Sequence, residues 1–144
     1  LFITNLLENK KTPVYGNGEQ KREWIFVDDH CRAIDLILHK GKVGEAYNIG
    51  TGEEIQNIET TKLLLGLLDK DESFIEYVKD RPGHDVRYAI DHTKLTSELG
   101  WEPTVSFADG LTKTVEWYKE NEEWWRKLKS VEYLEYYRKQ YSNQ

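Results

Sequence analysis

Arg22 and Arg81 are the side chains of this sequence best suited to holding an anion. Arg22 follows the turn Gly16-Asn17-Gly18 and opens an expected strand; Arg81 precedes Pro82-Gly83 in a rigid loop. A guanidinium at the edge of an element presents a planar fork that matches two phosphate oxygens at once. The same residue type also makes ordinary surface salt bridges, and spacing alone leaves both readings open. Asn57 stands at the start of an expected helix. There it serves as an N-cap, as a donor to a phosphate at the helix N-terminus, or as both.

Other chemistry-bearing residues are read more plainly. Gly50-Thr51-Gly52 follows an expected strand but is a turn, because no G-x-G-x-x-G follows and no acidic residue closes a next strand. His30, His39, His84 and His92 are scattered without metal-ligand spacing. Asp28-Asp29 is expected to N-cap a helix rather than to ligate a metal with His30. Cys31 is expected on the apolar face of that helix, as a core thiol rather than a nucleophile. No nucleophile elbow is present.

These residues must be positioned by alternating short strands and helices, which make the chain α/β. Helices are expected over 1–10, from Asp28-Asp29 to Gly41 and Gly44, from Asn57 through Leu68, over 93–99 and over 107–127, with a further amphipathic helix over 130–140. Extended segments are expected at 12–15, 22–27, 46–49 and 73–78. Trp117, Tyr118, Trp124 and Trp125 form a helical aromatic stripe of core or interface type, continued by Tyr133, Tyr136, Tyr137 and Tyr141.

With 144 residues the chain suits one domain, 1–144. The net charge of −6 argues against a nucleic-acid partner, which needs a basic footprint. The single cysteine excludes an internal disulfide and fits a reducing, cytoplasmic setting. No apolar run approaches the roughly 18 residues of a membrane span, and no signal peptide is visible. A mean hydropathy of −0.75 is polar for a domain of this size, which suggests that some apolar surface is covered by a neighbour. The first residues, Leu1 to Leu7, read as the middle of an amphipathic helix with no initiator Met. The expectation is therefore a piece of a longer protein, with an exposed apolar patch around Phe2, Leu6 and Leu7 or around Ile25 and Val27.

Several segments together resemble the extended short-chain dehydrogenase/reductase family. They are Thr12-Pro13-Val14-Tyr15-Gly16-Asn17-Gly18, the run from Arg22 to Ile34, and Tyr47-Asn48-Ile49-Gly50. The segment from Tyr77 to Asp91, with Glu98-Leu99-Gly100-Trp101-Glu102-Pro103 and Thr114-Val115-Glu116-Trp117-Tyr118, is similar to the dTDP-glucose 4,6-dehydratases in particular. Departures are Glu23, where Asp is common, and Phe26, where His or Tyr is common.

The resemblance implies a small mixed α/β substrate-binding domain, C-terminal in its enzyme, whose N-terminal Rossmann domain is absent from this sequence. In that family NAD held by the Rossmann domain oxidises the hexose at its fourth carbon. Water leaves across the fifth and sixth carbons, and the hydride returns to the sixth. The Tyr-x-x-x-Lys pair and the Gly-rich loop belong to the N-terminal portion, and neither pattern occurs here. The resemblance assigns Arg22, Asn57 and Arg81 to the diphosphate, and Pro13 and Tyr15 to the thymine and ribose. It implies a dTDP-sugar ligand, the Rossmann domain as partner, a homodimeric intact enzyme and a role in nucleotide-sugar metabolism such as dTDP-rhamnose biosynthesis. A UDP-sugar epimerase or decarboxylase, and a non-catalytic nucleotide-sugar-binding module, are the alternatives.

Overall fold

The structure is a computed structural model that describes residues 1–129 and 138. The tail helix expected over 130–140, and the aromatic residues Tyr133, Tyr136, Tyr137 and Tyr141, lie outside the described residues. In chain order the elements are α1 (Phe2–Leu7), β1 (Thr12–Tyr15), β2 (Lys21–Glu23), α2 (Val27–Lys40), β3 (Glu54–Gln56) and α3 (Asn57–Leu67). A single 3-10 turn (Glu72–Phe74) leads into β4 (Ile75–Val78), followed by α4 (Thr93–Leu99), α5 (Phe107–Glu120) and α6 (Glu122–Leu128). The chain falls into two compact units, one of Leu1–Glu19, Asn57–His84 and the chain from Thr112, the other of Gln20–Gln56 and Asp85–Leu111.

The first unit is built on a parallel pair, β1 with β4, in the register Thr12↔Ile75 to Tyr15↔Val78. Parallel strands need a crossover, and α3 packs back on β1. Leu6 from α1, Val14 from β1, Leu64 and Leu65 from α3, and Ile75 from β4 are all buried. Leu6, expected on an exposed patch, is therefore core; α1 packs on both β1 and α3. Glu8, just after α1, accepts hydrogen bonds from Lys10, Arg126 and Lys129. The helix expected over 107–127 is broken at Asn121, whose backbone N–H and side-chain amide both donate to the Trp117 carbonyl. Beyond the break, buried Trp125 donates its indole N–H to the Tyr118 carbonyl at 2.8 Å.

The second unit pairs β2 with β3 antiparallel, Arg22 opposite Ile55. Its core is Ala33, Leu95 and Trp101, with Ile25, Leu36, Ile37, Tyr47, Ile49 and Leu99 packed around them. The strand expected over 22–27 stops at Glu23, and Val27 already belongs to α2. The strand expected over 46–49 is not formed among the described residues. Its alternation reports instead that Tyr47 and Ile49 pack on the core from one side. Gly100 ends α4 in the left-handed region at φ 69°, where a side chain would be strained.

The face of α2 opposite Ala33 carries Val27, Cys31, Ile34 and Leu38, spaced by four, three and four residues, which at 100° per residue is one stripe. All four are exposed, Leu38 at 78%. Cys31 is thus a surface thiol and not the core residue expected, because the buried face of α2 runs through Asp29 and Ala33 instead. Of the apolar surface expected around Phe2, Leu7, Ile25 and Val27, only Val27 is exposed.

Candidate functional site

In the first unit the carboxyl ends of β1 and β4 lie side by side, since Tyr15 pairs with Val78 and Gly16 N–H donates to the Val78 carbonyl. The carboxyl ends of parallel strands are where open α/β sheets hold ligands. Tyr15 closes β1, and Arg81 follows β4 by three residues. The Arg81 guanidinium lies 5.8 Å from the Tyr15 ring centroid. Pro13, two residues before Tyr15 and on the same strand face, is buried.

The turn after Tyr15 reaches the start of α3. Gly18 accepts a hydrogen bond from Ile58 N–H at 2.9 Å, and a Cβ on Gly18 would meet Val14 and Ile58 at under 3.0 Å. This close approach, at φ 76°, requires glycine and seats Asn57 beside the turn. Asn57 is the first residue of α3 rather than the one before it, and its carbonyl accepts from the Thr61 hydroxyl.

Two neighbours that the residue types did not single out belong to the same place. Asp80 Oδ1 accepts from Arg81 N–H and lies 2.6 Å from His84 Nδ1. The His84 ring meets Tyr15 edge-on, with centroids 5.6 Å apart. The spacing of four between Asp80 and His84, around Pro82-Gly83, is the signal that could have found them. The first unit thus brings together Tyr15, Arg81, Asp80 and His84 at one sheet end, with Asn57 next to the turn that leaves it.

Arg22 belongs to the second unit. Its guanidinium donates to the carbonyls of Lys21 and Asp85 at 2.6 and 2.8 Å and lies 4.3 Å from the centroid of the Tyr88 ring. Next to it, Glu23 accepts from the backbone N–H groups of Thr51, Gly52 and Ile90. The N–H groups of Thr51 and Gly52, which would cradle a phosphate, are therefore turned on an internal carboxylate, in keeping with the turn reading.

The buried carboxylate of the second unit is Asp29. Expected to cap α2, it instead lies in the helix's first turn, where Phe26 is the N-cap residue. Asp29 accepts from the Thr104 and Val105 N–H groups, from the Thr104 hydroxyl and from Arg32. Burial works to raise its pKa, but the hydrogen bonds from Arg32, Thr104 and Val105 outweigh it and hold the carboxyl well below the usual carboxylate range.

A family model described as GDP-mannose 4,6 dehydratase matches residues 1–114. The chain belongs to that family. It is 49% identical over 130 residues to a dTDP-glucose 4,6-dehydratase of Streptomyces niveus, an alignment covering 90% of this chain and 39% of the relative. The dTDP-glucose 4,6-dehydratase of Streptomyces venezuelae, solved with NAD and TYD bound, superposes with a TM-score of 0.85 at 52% identity, covering 88% of this chain and 39% of that one. A UDP-glucose 4-epimerase of Thermotoga maritima, solved with UDP-glucose, superposes at 0.77 and 35% identity over 83% of this chain and 38% of that one.

The chain thus spans about two fifths of the curated and solved relatives it matches. The α/β class and the resemblance to extended short-chain dehydrogenases/reductases are borne out. Among the described residues no helix is long and apolar enough to cross a membrane. As a test of fit to NAD, the 144 residues of this dehydratase-family chain contain neither a G-x-G-x-x-G loop nor a Tyr-x-x-x-Lys pair. The residues present do not make an NAD site.

Proposed function

We propose that this chain is the sugar-nucleotide-binding part of an NAD-dependent dTDP-glucose 4,6-dehydratase, a lyase that forms the 4-keto-6-deoxy sugar nucleotide. The observation that carries the reading is the identity of about half over nine tenths of the chain to dTDP-glucose 4,6-dehydratases, against 35% to a UDP-glucose epimerase. Arg22, Asn57 and Arg81 supply donors to the diphosphate, and Pro13 and Tyr15 line the thymidine. A diphosphate in a partly dehydrated site needs donors from several elements, and a strand edge, a helix start and a rigid loop each offer one. These groups bind and orient the sugar nucleotide; hydride transfer is the task of NAD bound by a Rossmann domain. The enzyme acts in the cytoplasm as a homodimer, in nucleotide-sugar metabolism such as dTDP-rhamnose formation.

The division of labour has a direct test. Incubated alone with dTDP-glucose and NAD, the 144-residue chain forms no 4-keto product, whereas the product of its whole reading frame does. Turnover by the chain alone would overturn the division.

The partner of the α2 stripe is, on this reading, the Rossmann domain, because four exposed apolar side chains in one row make a docking face. Ile34→Glu combined with Leu38→Glu should leave the melting temperature of the chain alone within about 2 °C, since both sites are exposed. The same pair should lower that of the encoded enzyme by several times as much. Equal small effects in both would remove α2 as the docking face.

A further inference from the structure

We infer that Tyr88 is a positioning residue for Arg22: its ring and its hydroxyl hold the guanidinium and its loop in the pose that receives an anionic diphosphate. The inference rests on the nucleotide-sugar reading above and goes beyond it by naming a residue that does not itself donate to the ligand.

The segment 85–88 is fastened to the strand pair from both sides. Lys21 N–H donates to the Val86 carbonyl and Tyr88 N–H donates to the Lys21 carbonyl, so the segment runs along β2. Lys21 also forms a parallel bridge with Arg87. Arg87 in turn makes a two-pronged contact with Glu54 of β3, at 2.6 Å for each prong. That carboxylate stands opposite Glu23 in the β2–β3 register.

This fastening sets the Tyr88 ring under Arg22 at 4.3 Å from the centroid. The Tyr88 hydroxyl donates to the Asp85 carboxylate, and the carbonyl of that same Asp85 accepts from the Arg22 guanidinium. Ring and tether therefore act on one group from two directions. A long, rotamer-rich side chain held this way loses less freedom when it meets a planar oxyanion, which raises affinity without adding a ligand contact.

The test is a double-mutant cycle read as dTDP affinity by calorimetry at fixed ionic strength, on the protein as encoded. Tyr88→Leu keeps an apolar side chain but removes ring and hydroxyl; it should weaken dTDP binding by about fivefold, the scale of an exposed to partly desolvated cation–π contact. On the Arg22→Ala background the same change should have no further effect. Tyr88→Phe, which retains the ring, reads the Asp85 tether alone: a loss of about twofold that also vanishes with Arg22→Ala. A Tyr88 effect of equal size with and without Arg22, or no effect at all, overturns the inference. Absence of dTDP binding by the unaltered protein overturns the nucleotide-sugar reading itself and the inference with it.

Discussion

Replacing Asp29 with Ala should cost the protein about 4 kcal/mol of stability, the largest effect expected of any single polar substitution described here. The carboxylate is 2% exposed and gathers the N–H groups of Thr104 and Val105, the Thr104 hydroxyl and the Arg32 guanidinium. Its removal leaves two backbone donors without their acceptor, at about 1–3 kcal/mol each, and deletes a charge-assisted bond besides. Asp29→Asn should rescue in part, since its amide oxygen can accept from both backbone N–H groups, which share one carboxylate oxygen, while its NH2 is left facing Arg32. Thermal unfolding should show a drop on the order of 10 °C.

The same carboxylate makes the protein sensitive to acid. Its folded pKa is depressed, so its contribution is fully present above the unfolded value of about 3.9 and is lost as pH falls below that towards the folded value. The melting temperature of the unaltered protein should therefore fall more steeply below about pH 4 than that of Asp29→Ala. Parallel curves, or a loss under about 1 kcal/mol, would show that Asp29 is not the tie between α2 and the 104–105 segment.

The second large effect is on binding. Arg81→Ala should weaken dTDP binding by roughly tenfold or more, because a charge-assisted hydrogen bond contributes about 1.5–3 kcal/mol. Stability should hardly move, because Arg81 is exposed and its side chain lies over Tyr15 rather than in the core. Arg81→Lys restores the charge but not the fork and should recover only part of the loss. Arg22→Ala should match Arg81→Ala in affinity. Asn57→Ala should cost less affinity and little stability, since Asn57 lies in the first turn of α3 and is not its N-cap. Calorimetric titration beside a thermal melt separates the two effects. Unchanged affinity in both Arg variants would dismantle the diphosphate assignment.

Legibility in the sequence followed how local each cause is. β1 and α4 were readable to the residue: Thr12 to Tyr15 is bounded by a glycine turn, and α4 ends at Gly100 in the left-handed conformation that favours glycine. The strand expected at 46–49 was not, because alternation reports which side chains are buried and not whether a neighbouring backbone supplies hydrogen bonds. Tyr47 and Ile49 pack on Ala33, Leu95 and Trp101 without a ladder among the described residues. The break at Asn121 is equally silent in the pattern, because the apolar and aromatic spacing continues across it from Trp117 to Trp125.

The candidate site shows the same divide. The types of Arg22, Arg81 and Asn57 suggested anion chemistry, and the family resemblance supplied the expectation of a sugar-nucleotide ligand. The partners Thr104 and Val105 of Asp29 were invisible because they lie 75 and 76 residues along the chain. The contact of Tyr88 with Arg22 was equally hidden, since it depends on the 85–88 segment running along β2. His84 and Asp80 were present in the motif as read, but only the pairing of β1 with β4 puts His84 against Tyr15, with Asp80 bonded to it.

The central claim is that this chain holds the nucleotide diphosphate of a dTDP-sugar, and a crystal structure of the encoded protein with dTDP tests it most directly. The account predicts the diphosphate in contact with Arg22, Asn57 and Arg81, with the thymidine against Pro13 and Tyr15. A diphosphate bound elsewhere, or bound with the Arg22 and Arg81 guanidinium groups both directed away from it, would contradict the account.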